Sequence, residues 1–272
     1  MILQKFIPLL LALWLVPGQA FAAEKQGKAP EIKLIEKNWG EANNADVLAV
    51  LRSTARQLFP HSGRDDWDAI HVGRSSKGPI VLFRRGNQGQ YFVNLNTGNR
   101  FWSQYAFQFS HEIGHILCGY KEGDQSNHWF EETLCETASL FTLAKLSEDW
   151  KTNAPYSNWK SYAGAFKKYA RERIDKHPWP KDLSLAEWYE KEKEDLVKNA
   201  TNRERNLMVA IRILPFFEAD PTGWTAVSAL NKKKDKKKRS FETCLRDWKK
   251  GCQTDEHRAF VGKIAKAFGF DL

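Results

Sequence analysis

The stretch Phe107-Gln108-Phe109-Ser110-His111-Glu112-Ile113-Gly114-His115-Ile116-Leu117 decides how the rest of the chain is read. It contains His-Glu-x-x-His. In a helix, residues four apart project from one face, one turn above the other. Two imidazoles so placed can reach one metal ion, and zinc suits neutral imidazole nitrogen and prefers four ligands. Glu112 lies about 100° around the helix from His111. That puts it beside the metal, where a carboxylate can take a proton from water. The helix is expected from Phe101, Trp102, Tyr105, Phe109, Ile113, Ile116 and Leu117, which recur at helical spacing. Asn99 is its expected cap and Gly119 its stop.

Upstream, residues 67 to 96 read as β. Ile70 and Val72 alternate around His71, and Pro79 to Arg85 is a second run. After the turn signal Gly86-Asn87-Gln88-Gly89, Gln90 to Leu95 is a third. The expectation is a small antiparallel sheet directly before the motif helix. Its free edge could hold an extended peptide through main-chain hydrogen bonds. Further back, Glu31 to Ile35 is a weaker strand candidate, and Asn44 is the expected cap of a helix ending near Pro60. Downstream, a second helix is expected from about His128 to Ser147. It is rich in Leu and Phe, yet carries Glu131, Glu132 and Glu136. Acidic residues in a buried helix are costly unless paired or bound to a metal. From Trp150 onward the pattern is mostly helical. The fold class is therefore α+β, mostly helical, with the small sheet before the motif helix and a helical C-terminal part. One domain is expected over 23–272, with 61–150 carrying the sheet and the site helices and 151–272 a helical subdomain.

A catalytic zinc needs a third protein ligand and an open position. A third His six residues after His115 is excluded, because Lys121 stands there. Asp124 and His128 read as loop residues, and a loop positions a ligand poorly. A carboxylate from the second helix remains.

With these residues in view, the chain resembles the zincin metallopeptidases, specifically the gluzincin branch of thermolysin-like and aminopeptidase-like enzymes. In that branch the third ligand is a Glu on a helix after the motif helix. Trp129-Phe130-Glu131-Glu132 is similar to the approach to that ligand, with Glu131 where Asn is common. The resemblance covers residues 79 to 146. It implies a zincin-like fold, zinc (Zn2+) held by His111, His115 and Glu132, and Glu112 as the catalytic residue. It also implies that Glu136 fixes His111 by a hydrogen bond from outside the ligand set. Helix-face position favours Glu132, with Glu131 and Glu136 as alternatives. The implied activity is hydrolysis of peptide bonds in a peptide or protein substrate by Glu112-activated water. Family members usually add a Tyr or His that stabilises the oxyanion. No motif fixes it here; Tyr156, Tyr162, Tyr169 and His177 are the downstream candidates. That gap motivates an alternative, a non-catalytic zincin-like envelope binding or scaffold protein with a structural metal.

The start of the chain reads as a targeting segment. Lys5 precedes an apolar run from Phe6 to Val16, and Ala20-Phe21-Ala22 supplies a small-x-small cleavage site. Residues 1–22 are thus an expected signal peptide, and the mature protein is expected to be periplasmic or secreted. No later stretch is long enough to cross a bilayer. The chain carries a net charge of +9. Export argues against nucleic acid as a partner and leaves an anionic envelope surface open. The run Lys232-Lys233-Lys234-Asp235-Lys236-Lys237-Lys238-Arg239 reads as an exposed loop. Four Cys in an oxidising compartment permit disulfides. Cys244 with Cys252 is the most local pairing, while Cys118 and Cys135 are either bridged or free.

Overall fold

The computed structural model describes residues 28–272, so the expected signal segment lies outside the described residues. Strand β1 (Ile32–Leu34), helix α1 (Asn44–Ala55) and strand β2 (Ile70–Arg74) follow in chain order. Next come β3 (Ile80–Val81) and β4 (Tyr91–Leu95). The sheet order is β1-β2-β4-β3. β1 pairs with β2 and β2 with β4 in parallel; only β3 and β4 are antiparallel. The small antiparallel sheet expected from the sequence is therefore corrected to a mixed, mainly parallel one. The reason is α1, which carries the chain back so that β2 starts at the same end as β1, as a parallel pair requires. The turn at Gly86 to Gly89 sets the direction of β3 against β4 alone. Ile32, Ile70, Val72, Val93 and Leu95 are all buried, alternating along their strands as one sheet face against the core. Asn43, not Asn44, caps α1, accepting from the Asp46 N–H at 2.8 Å.

Two long helices follow, α2 (Trp102–Leu117) and α3 (His128–Asn153). Then come α4 (Ala163–Asp175), α5 (Leu185–Lys198), α6 (Arg203–Ala219), α7 (Gly223–Val227), α8 (Phe241–Gly251) and α9 (Asp255–Ala267). α2 is buried along almost its whole length. Asn99 does not cap it. That residue adopts a left-handed φ of 50°, and its side-chain oxygen accepts from the Glu41 N–H at 3.0 Å. Gly119 does stop α2, at φ +67°. Its N–H reaches the Ile116 carbonyl and the Tyr120 N–H reaches the His115 carbonyl, both at 3.1 Å. This paired closure satisfies two orphan carbonyls of the helix end. α3 lies close against α2 at Gly114, inside the motif. A Cβ there would stand 2.8 Å from the Cys135 Cα, so only glycine admits the approach.

One hydrophobic core runs from Ile32 to Phe268 through both site helices. All four cysteines are buried and free. The Cys244–Cys252 bridge is thus overturned. The two residues stand eight apart along α8 and its cap, about 12 Å of helical rise, beyond the ~7 Å between Cα atoms that a disulfide can span. The Cys252 thiol instead donates to the Trp248 carbonyl at 3.4 Å. Among the described residues no helix is long and apolar enough to cross a membrane.

Candidate metal centre

α2 and α3 bring the motif residues together. His111 and His115 sit one turn apart on the face of α2 turned to α3, with ring centroids 5.2 Å apart. From α3, the Glu132 carboxylate stands 3.2 Å from His111 Nε2 and 3.5 Å from His115 Nε2. His128, the first residue of α3, brings its own Nε2 to 3.1 Å from the same carboxylate. Three Nε2 atoms thus converge on one carboxylate.

The opposite ring nitrogens of the α2 histidines meet other acids. His115 Nδ1 donates to Glu131 at 2.9 Å. His111 Nδ1 faces Glu136 at 3.6 Å. A carboxylate on Nδ1 fixes the ring and leaves Nε2 as the nitrogen available to a metal. Glu131 is held in turn by the Asn231 amide at 2.8 Å and the Lys234 ammonium at 3.3 Å. Lys234 is buried, which corrects the reading of its run as an exposed loop. The lysines on either side are exposed, as expected.

Burial pushes the Glu131 carboxyl up, but the His115 hydrogen bond and the charges of His115, Lys234 and His128 outweigh it and hold it down at about 2. Glu132 is likewise held well below the carboxylate range, its burial outweighed by hydrogen bonds from His111 and His128. Burial works against charge on His111, yet the Glu132 hydrogen bond and the Glu136 and Glu132 charges raise it to about 9. Without a metal the cluster is a set of ion pairs. Glu112 differs. Burial raises it, the two histidines pull it partly back, and the Val81 N–H of β3 donates to its carboxylate. A carboxyl raised in this direction suits a proton acceptor near neutral pH.

Ligand atoms of His111, His115 and Cys135 lie within 4.8 Å of one another, so this buried group could bind a metal ion. Two further donors are thereby in reach of the histidines, the Cys135 thiol and the Glu132 carboxylate. They approach differently. Cys135 sits in the seam against Gly114 and contacts Cys118, and burial drives its thiol far above its ordinary range. Glu132 is ionised and meets both Nε2 atoms.

Of the candidate oxyanion residues, Tyr162 accepts from the Ser103 N–H at 3.2 Å and Tyr169 accepts from Arg173 at 2.6 Å. Tyr156 packs edge-on against Trp159. Only His177 lines the cavity that borders His111. Asp124 is spent on the Ser126 and Arg239 N–H groups. The sequence reading missed Tyr120, whose ring lies 5.0 Å from that of His115 and stacks on Phe83 at 4.1 Å. His128, weighed as a ligand and set aside as a loop residue, is instead the first residue of α3. Its spacing of four from Glu132 on one helix was the available signal. No family model, no curated protein and no solved structure matches this chain.

Proposed function

We propose that this chain is an exported zinc-dependent peptidase. The observation that carries the reading is the convergence of His111 and His115 Nε2 on the Glu132 carboxylate while their Nδ1 atoms face Glu131 and Glu136. Nitrogen and carboxylate donors with outer carboxylates fit a catalytic zinc. His111, His115 and Glu132 would hold it and leave one position open, with His128 steadying the Glu132 carboxylate. Bound there, zinc supplies Lewis acidity toward a carbonyl oxygen and makes water a stronger acid.

The protein's own groups do the rest. Glu112 takes a proton from the attacking water at its carboxylate and returns it to the leaving amine. β3 is the edge of the sheet and runs past Glu112, with its Val81 N–H bonded to that carboxylate. Ile80, Leu82 and Phe83 are exposed along it. An extended peptide laid on this edge would gain main-chain hydrogen bonds regardless of its sequence, with apolar side chains against Phe83 and Tyr120.

The test uses the chain from residue 23, loaded with zinc. Glu112→Gln is expected to keep the metal and lose about 10²- to 10⁴-fold in hydrolysis of a peptide mixture. Chelator should abolish the wild-type activity. Full activity in Glu112→Gln, or no turnover of any peptide, overturns the reading; the second result would favour a non-catalytic binding role. Cobalt substitution decides between Glu132 and Cys135, because thiolate ligation alone gives sulfur-to-metal charge-transfer absorption.

A further inference from the structure

Beside His111 lies a cavity of about 260 Å³, separate from the Glu131 side of the site. Pro79, the residue before β3, lines it, so it opens where the edge strand begins. Its charged lining is His111, Glu136, Arg173, His177, Arg203 and Glu204.

The two arginines stand out because neither has a carboxylate within ion-pair distance among the described residues. Arg173 is stacked 3.9 Å over Phe107 and 4.6 Å over Tyr169, and its terminal nitrogen donates to the Tyr169 hydroxyl. Its Nε is buried with no hydrogen-bond partner. Arg203 starts α6 and has neither a side-chain hydrogen bond nor an ion pair among the described residues. Burial raises the Glu136 carboxyl, and the charges of His111, Arg173 and Arg203 pull it partly back, so both arginines act on it across the cavity. Glu136 is engaged with His111, and Glu204 is exposed in the first turn of α6; neither comes within ion-pair distance of either arginine. His177 Nδ1 donates to the Arg173 carbonyl at 2.8 Å, which ties the end of α4 to the second residue after it.

A guanidinium fixed by stacking at a cavity wall presents its outer N–H groups in a planar fork that suits a planar acceptor. Two of them line one cavity beside His111, where they offer directed donors even though Glu136 and Glu204 balance their charge. We propose that this cavity is a carboxylate subsite: the peptide cleaved at the metal carries an acidic side chain or its own C-terminal carboxylate on the His111 side of the scissile bond. The proposal rests on the peptidase reading for what the ligand is, but not for where its charge is held.

The experiment separates the two. Zinc-loaded Glu112→Gln protein is titrated calorimetrically with hexapeptides carrying a central Phe, in matched pairs. One pair differs by Glu against Gln beside the Phe, the other by C-terminal acid against amide. The acidic member of one pair is expected to bind about 10- to 100-fold more tightly, the range for hydrogen bonds to a charged group. Which pair shows the gap identifies the source of the carboxylate. Arg203→Gln, an exposed change that leaves packing alone, and Arg173→Lys, which keeps charge but loses the planar fork, should each narrow the gap several-fold. Equal binding within both pairs, no binding of any peptide, or a gap that survives both variants overturns the subsite. A gap in binding without any wild-type cleavage keeps the subsite and removes the peptidase. Cleavage without a gap does the reverse.

Discussion

On the His115 side of the centre, Glu131 accepts from Nδ1 at 2.9 Å and is gripped by Asn231 and Lys234 from a loop 100 residues further along. On the His111 side, Glu136 stands 3.6 Å away, one of its oxygens is buried without a hydrogen bond, and a cavity opens beyond it. The two histidines share a helix and differ in what stands behind them. One is locked by a closed chain of charged groups. The other borders the space that a substrate would enter. Rigidity is concentrated where nothing needs to move, and unmet polar groups are left where a ligand can meet them.

This contrast is open to attack. The largest effect is expected from Glu131→Gln, which strands the buried Lys234 charge. Breaking such a pair costs about 3–5 kcal/mol, to be read from chemical denaturation of the metal-free protein.

Next comes pH. The His111 pKa, raised from 6.5 to about 9, contributes stability fully present below 6.5 and lost as pH rises through 9 in the metal-free protein. A metal needs the neutral ring, so its affinity should climb by up to about ten-fold per pH unit across that window. The melting-temperature gap between loaded and metal-free protein should widen in step. A gap independent of pH from 6.5 to 9 would mean that His111 is not a ligand.

Lys234→Met should cost about 2 kcal/mol, since Asn231 and His115 still support Glu131, while Lys236→Met should stay within about 0.5 kcal/mol. Equal effects of the two would remove the distinction between locked and open sides. Gly114→Ala forces α2 and α3 apart at Cys135 and should cost about 1–2 kcal/mol as an overpacking change. Glu136→Gln should be the mildest. It is expected to weaken metal binding about ten-fold with little change in folding stability, measured by competition with a chromogenic chelator.

Much of this centre was readable beforehand because its parts are local. His111, Glu112 and His115 are set by helical periodicity, and that Glu131, Glu132 and Glu136 would find partners follows from the cost of acids in an apolar helix. The hairpin of β3 and β4 was readable from its glycine turn. The direction of β2 against β4 was not, because β1 and α1 determine it and no pattern within 67–96 contains them. Lys234 was invisible for a related reason. It sits among five other lysines of the same run, and only the tertiary approach of that loop to α3 singles it out. His128 was misjudged by a boundary, since a residue at the first position of a helix is already held by it.

The stop after α2 fixes more than where a helix ends. Gly119 turns the chain so that Tyr120 comes back over His115, and there it stacks on Phe83 beyond the sheet edge. The count from His115 to Tyr120 therefore acts as a ruler for the mouth of the cleft. One residue inserted or deleted between them would carry the phenol ring off Phe83 and leave that mouth without a wall.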